Sequence, residues 1–223
     1  MNLQSTSETG RFAEQITNGA KCLNLELDSD KIAKFVTYLQ QFIKWNNAYN
    51  LSAIRDPEHI ISKHLLDSLS IASLIEGAHF IDVGTGGGLP GIPLAIVFPE
   101  RAFTLLDSNG KKTRFLFQVK QQLELDNVEI VDQRVESYHP EPRFDGVITR
   151  AFSSLKLMTE ICDHLLDSGG RFWAMKGVFP QDELRQLEKR YIVEATFKLE
   201  VPGVNGERTL VVLRKVPRTE KTQ

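Results

Sequence analysis

From His79 onward, short apolar β-rich runs alternate with helical ones, and this alternation restricts the fold more than any other feature of the chain. Residues 79–83, 102–106, 128–131, 144–149 and 171–175 read as strands, and residues 92–98, 109–125 and 154–166 between them read as helices. Strands that are almost continuously apolar, each followed by a helix, predict a parallel sheet covered on both faces. Residues 193–201 and 208–216 read as two further strands. The connection between them, Pro202-Gly203-Val204-Asn205-Gly206, is too short for a crossover and suits an antiparallel hairpin. The expected sheet is therefore α/β, with five parallel strands followed by an antiparallel terminal hairpin.

Ahead of the sheet the period is helical. Ile32, Phe35, Val36, Leu39, Phe42 and Ile43 recur at spacings of three and four, with Asp28 or Ser29 as the N-cap. A second run starts at Asp56, with Pro57 in the first helical position, and its apolar residues (Ile60, Ile61, Leu65, Leu69, Ala72, Ile75) continue to Gly77. A weaker helix is expected over residues 9–23. The expected organisation is an N-terminal helical extension (1–77), an α/β domain (78–216) and a polar tail (217–223).

Composition removes several classes of function. The 223 residues suit one domain, or one domain with a sizeable extension, at roughly 150 residues per domain. No apolar run approaches the roughly 18 residues of a membrane span, and the first ten residues lack the apolar stretch of a secretory signal. Cys22 and Cys162 lie far apart, and His59, His64, His79, His139 and His164 are scattered, so neither a disulfide framework nor a metal site is expected. A reducing cytoplasmic setting follows from that cysteine usage. The formal net charge of −2 excludes a chain-wide polycation that coats DNA, while leaving room for a local basic face.

The most informative segment is Ile81-Asp82-Val83-Gly84-Thr85-Gly86-Gly87-Gly88-Leu89-Pro90-Gly91, which follows the first parallel strand and opens a helix. Ligands of open α/β sheets bind at this place, beyond the carboxyl ends of the strands. Gly86, Gly88 and Gly91 satisfy the dinucleotide spacing, a weak signal by itself. Asp82 favours a cation over a pyrophosphate, as S-adenosyl-L-methionine would bring with its sulfonium and ammonium groups. Asp107 ends the second strand roughly 20 residues beyond the loop, where an acid accepts hydrogen bonds from ribose hydroxyls. Both cofactors carry such a ribose, so Asp107 supports a nucleoside without choosing one.

Several motifs then coincide. Trp45-Asn46 with Asn50-Leu51, Ile54-Arg55-Asp56-Pro57, His64-Leu65-Leu66-Asp67-Ser68, the glycine loop with Leu89-Pro90-Gly91-Ile92-Pro93-Leu94, and Arg150-Ala151-Phe152 follow one pattern. Together they resemble the glucose-inhibited division protein B family, guanine-N7 methyltransferases of bacterial 16S ribosomal RNA, over most of the chain from about Trp45 to Val212. The resemblance implies a class I methyltransferase Rossmann-like domain. It also implies transfer of a methyl group from S-adenosylmethionine to N7 of a guanosine in the 530 loop. By that resemblance Gly84 and Leu89 line the cofactor, Val135 and Glu136 hold its adenosine end, and Arg150 contacts it; Gly86 belongs to the same loop. Val135 stands where the family often has alanine, and Thr209 stands after Arg208 where it often has histidine.

The chemistry agrees. Guanine N7 has an in-plane lone pair and no proton, so methyl transfer to it needs alignment at about 3–3.5 Å and no general base. No Asn/Asp-Pro-Pro-Tyr/Phe signature follows the fourth strand, and neither cysteine has the context of a cytosine-C5 nucleophile. Lys176 in Met175-Lys176-Gly177 could serve a ribose 2′-O enzyme, but it lacks a convincing set of partners. No catalytic acid or base is assigned. Arg114, Lys176 and Arg208 are the candidate substrate-binding cations, with Lys111 and Lys112 beside them; such groups position RNA without specifying its sequence. Phe152 and Phe179 are candidates for stacking on a splayed base. The expected partner is 16S RNA within a small-subunit particle, without membrane or DNA. Competing readings are an NAD(P)-dependent oxidoreductase, which lacks a Tyr-x-x-x-Lys pair, a non-catalytic nucleoside-binding assembly factor, and a small-molecule N-methyltransferase.

Overall fold

The structure, a computed structural model, describes residues 3–150, 152–187 and 189–216; the expected polar tail lies outside them. Helix α1 (Leu3–Cys22) packs on α2 (Ser29–Tyr49). Asp28 is the N-cap of α2, its carboxylate accepting the N–H of Lys31 at 2.8 Å. The helix ends at Asn50, in the left-handed conformation at φ 56°, whose N–H returns to the Asn46 carbonyl.

Asp56 likewise caps α3 (Pro57–Ile60), but the expected continuous helix to Gly77 does not form. Residues Ile61–Leu66 make a π-helical turn, α4 is a short turn over Asp67–Leu69, and the chain then proceeds in turns. The hydroxyls of Ser62, Ser68 and Ser70 bond to the carbonyls of Glu58, His64 and Asp67, competing with the regular backbone ladder. Ile71, Ala72 and Ile75 are nevertheless buried, so their spacing reported burial rather than helix.

The sheet then begins. In chain order come β1 (His79–Val83), α5 (Gly91–Val97), β2 (Ala102–Asp107), α6 (Gly110–Leu123), β3 (Val128–Asp132), β4 (Phe144–Thr149), α7 (Leu155–Cys162) and β5 (Leu166–Lys176). The short α8 (Gln181–Arg185) precedes β6 (Tyr191–Lys198) and β7 (Thr209–Lys215). The strand order is β3-β2-β1-β4-β5-β7-β6. The first five strands are parallel, and β7 runs antiparallel to both β5 and β6, as the hairpin reading requires.

Two boundaries differ from expectation. Helix α7 stops at Cys162 and β5 starts at Leu166, because the pairing of β4 with β5 jumps from Phe144–Leu166 to Gly146–Arg171 and absorbs the intervening residues as a bulge. Strand β6 also lies earlier than residues 193–201. The five-residue α8 escaped notice because it is too short to show a period.

Apolar side chains cover both faces of the sheet. One cluster joins Phe12, Phe35, Leu39 and Phe42 of the N-terminal helices to Ile92, Leu105 and Phe115, and the other joins Val83 and Val147 to Met158 and Cys162 of α7. Each fully buried Phe or Leu contributes about 1.5–3 kcal/mol. The strand order reverses between β1 and β4, so a crevice opens beyond their carboxyl ends.

Candidate active site

The glycine loop lies over that crevice and is fastened from below. Asp82 Oδ2 accepts the Thr85 hydroxyl at 2.7 Å and the Gly91 N–H at 2.8 Å. Gly86, at φ 61°, turns its N–H onto Asp107 Oδ2 at 2.9 Å. Tyr38 of α2 donates its hydroxyl to the Gly87 carbonyl at 2.6 Å, and a Cβ on Gly87 would stand 2.4 Å from Phe42 Cε2. The helix-rich N-terminal segment is therefore packed directly onto the loop.

This arrangement changes the part assigned to Asp82. The residue is 1% exposed, its Oδ2 receives both donors from the turn itself, and it lines none of the three cavities along the carboxyl edge of the sheet, so its carboxylate clasps the loop. Burial pushes its carboxyl up to about 6, opposed by the hydrogen bonds from Thr85 and Gly91 and by the Arg150 charge.

Three cavities adjoin along the carboxyl edge of the sheet. The first, about 240 Å³, is lined by Gly84, Asp107, Val135, Glu136 and Phe152 among others. The second, about 260 Å³, includes Gly84, Gly86, Leu89, His64 and Arg150. The third, about 440 Å³, includes His64, Asp67, Arg150, Lys176 and Arg208. Gly84 borders the first two, while His64 and Arg150 border the second and third.

In the first cavity Asp107 uses Oδ1 for the Asn109 N–H at 2.9 Å, and its Oδ2 also meets Lys112 Nζ at 3.4 Å. Val135 and Glu136 lie in a single 3₁₀ turn (Val135–Ser137). His164 fastens that turn, its Nε2 lying 3.2 Å from the Val135 carbonyl and 3.0 Å from that of Tyr138. Nothing in the sequence around His164 signalled this role, because its partners lie on a different connection of the fold.

At the junction of the second and third cavities, His64 is held at both ring nitrogens. Nδ1 lies 3.1 Å from the Lys63 carbonyl, which can only accept, so Nε2 is left to accept the Ser52 hydroxyl at 2.7 Å. Burial, reinforced by the Arg150 charge, lowers the imidazole pKa to about 4, and the ring is neutral at pH 7. Its side-chain partner is thus Ser52, from the segment between α2 and α3. Asp67 binds Arg150 Nη1 at 3.1 Å through Oδ2 and Arg208 Nε at 3.0 Å through Oδ1.

The predicted cations separate. Lys176 and Arg208 line the third cavity, and Lys176 Nζ pairs with Glu183 at 2.9 Å. Arg114 stands on the exposed face of α6, bonded to the Gly110 carbonyl at 2.9 Å, and lines none of the three cavities. Its place one turn into α6 turns it away from the crevice, so it is not grouped with Lys176 and Arg208. Phe179 is exposed, whereas Phe152 forms part of the first cavity wall.

A family model described as GidB: rRNA small subunit methyltransferase G matches residues 31–211. The chain belongs to this family. A ribosomal RNA small subunit methyltransferase G of Saccharophagus degradans is 57% identical over 92% of both chains. Its counterpart in Ectopseudomonas mendocina is 52% identical over 94% of this chain and 99% of that one. Among solved structures, a SAM-dependent O-methyltransferase from Thermotoga maritima aligns with TM-score 0.52 and 20% identity over 81% of this chain and 73% of that chain. TrmN from Thermus thermophilus gives 0.52 and 19% over 67% and 47%. These likenesses establish the class I Rossmann-like methyltransferase fold. In this GidB-family chain, Val135 and Glu136 border the first cavity, Leu89 and Arg150 the second, and Gly84 both.

Proposed function

We propose that this GidB-family methyltransferase uses S-adenosylmethionine to methylate N7 of a guanosine in the 530 loop of 16S ribosomal RNA, acting in the cytoplasm on a small-subunit particle. The observation that carries the reading is the row of three cavities meeting at Gly84 and then at His64 and Arg150. A nucleoside fits the first, an amino-acid tail the second and a splayed nucleotide the third.

The residues fit the cofactor. Asp107 supplies a carboxylate for ribose hydroxyls, Val135 and Phe152 supply apolar walls for a purine, and Glu136 supplies a further acceptor. Gly84, Gly86, Leu89 and Arg150 would hold the tail, with Arg150 suited to its carboxylate. Asp82 would act beneath them by holding the loop in shape. When bound, S-adenosylmethionine supplies an electrophilic methyl carbon on a sulfonium.

The chain's own residues then need to align the base and exclude water. Guanine N7 needs no deprotonation, and His64 is neutral and already engaged by Ser52. A neutral imidazole at the junction adds no charge beside a base that becomes cationic. Lys176 and Arg208 would meet phosphate oxygens in the third cavity, and Arg114 and Lys111 on α6 would touch RNA only peripherally. The helical extension, residues 1–77, takes part directly, since Ser52, His64 and Asp67 belong to it.

The dinucleotide alternative is disfavoured by two contacts. The Gly86 N–H is taken by Asp107, and the Gly91 N–H at the start of α5 is taken by Asp82. A pyrophosphate would meet two carboxylates where it needs donors. The test is borohydride–aniline cleavage of 16S RNA from cells with and without this protein. Loss of one cleavage in the 530 loop on deletion, restored by the purified protein and S-adenosylmethionine, is the expected result. An unchanged pattern overturns the reading. Comparing naked transcript with small-subunit particles at physiological salt checks the substrate, and equal rates would remove the particle from the proposal.

A further inference from the structure

Asp67 differs from the other acidic residues around the crevice. Its side chain is 4% exposed, yet its two oxygens serve guanidiniums from distant parts of the chain, Arg150 after β4 and Arg208 ahead of β7. Among the described residues it is the one carboxylate lining the third cavity, which also has Lys63, Arg150, Lys176 and Arg208 on its wall. A buried carboxylate divided between two arginines fixes the orientation of both, because displacing either leaves charge unpaired in a poorly solvated place. The π-helical turn Ile61–Leu66 ends immediately before it, so the irregular helix sets the position of Asp67 and of His64 together.

We propose that Asp67 is a positioning residue for RNA: with one oxygen tied to Arg150 on the cofactor side, it uses the other to hold Arg208 preset as the donor for the phosphate of the nucleotide that enters the third cavity. This rests on the RNA methyltransferase reading and deepens it. Arg208 also donates Nη1 to the Glu207 carbonyl at 2.8 Å, so two of its donor positions hold the guanidinium in place. The guanidinium plane carries five donors in a rigid fork, which suits it to a phosphate once its orientation is set. Asp67 itself would not touch the RNA; a carboxylate facing a phosphate directly would repel it.

The test compares the whole protein with its D67N and R208Q variants, using small-subunit particles, S-adenosylmethionine and a range of salt concentrations. Asn at position 67 can accept from one arginine but turns an amide donor towards the other. The expected result for D67N is a rise in KM for the particle of at least about tenfold. The log–log salt dependence of binding should become shallower by about 0.7 for each phosphate that is no longer neutralised. R208Q should show the same two changes, and D67N/R208Q together should be no worse than the more affected single variant, since both act on the same phosphate. A residue that merely supports the fold would lower melting temperature without changing the salt slope. An unchanged salt slope and KM in a folded D67N protein overturns the proposal; if D67N does not melt cooperatively, an unchanged slope in R208Q overturns it instead. A wild-type protein that methylates no small-subunit RNA would defeat the underlying reading, which is a separate outcome.

Discussion

The carboxylate of Asp82, at the end of β1, accepts the backbone N–H of Gly91, the first residue of α5, at 2.8 Å. The same oxygen accepts the Thr85 hydroxyl, so one buried atom closes the glycine loop on itself. Replacing it by alanine would leave both donors unpaired. D82A should therefore lose about 2–4 kcal/mol in urea unfolding and bind S-adenosylmethionine more weakly by calorimetry. D82N, which keeps an acceptor oxygen, should be milder. A D82A protein with wild-type stability would show that the clasp does not hold the loop.

Gly87 meets the ring of Phe42, leaving no room for a Cβ. G87A should cost about 1–3 kcal/mol through overpacking, read by thermal or urea melting. Adding F42L to G87A should recover part of that loss, because the obstructing ring edge is gone. If the second substitution instead adds its own cost in full, the two residues are not coupled as described.

Asp107 concentrates three donors in the first cavity: the N–H groups of Gly86 and Asn109, and Lys112 Nζ. A ribose would add to or displace these. D107A should weaken S-adenosylmethionine binding by at least about tenfold, the equivalent of one charge-assisted hydrogen bond. The isothermal titration should be compared with E136Q, which alters the same cavity without disturbing the loop. Equal affinity of D107A and wild type would remove Asp107 from the cofactor site.

His64, buried as the neutral imidazole, makes folding sensitive to acid. Its folded pKa of about 4 lies below the ordinary 6.5, so the unfolded chain takes up the proton first as pH falls. The stability that this histidine contributes is present above pH 6.5 and is lost progressively towards pH 4. Asp82 has the opposite sign, because its raised pKa of about 6 lets the folded state bind a proton before the unfolded one. The difference between wild type and H64Q isolates the histidine. Any advantage of wild type in melting temperature should shrink between pH 6.5 and pH 4. A constant difference would mean that His64 is not held neutral.

Much of the architecture was legible because its signals are local. Asp28 and Asp56 cap helices three residues away, and the Pro202–Gly206 segment joins strands in a hairpin, as short-range chemistry dictates. The glycine loop after β1 marked the crevice, and Gly84, Leu89, Arg150, Lys176 and Arg208 all reach its cavities. The same local logic failed at residues 61–77, where serine hydroxyls and a π turn broke a pattern that looked helical. The part Asp82 plays in closing its own loop was not visible either, because burial is absent from a linear pattern.

By itself the sequence determined the parallel sheet with its terminal hairpin, the place of the loop and the residue types available there, since periodicity, caps and turns depend on neighbours a few positions apart. How those residues are used was set by the folded chain: that Asp67 divides itself between Arg150 and Arg208, that Ser52 engages His64, that His164 secures the Val135 turn, and that Arg114 stands apart. Those pairings depend on which strand ends the sheet order brings together, and on how completely each charge is withdrawn from water when it does.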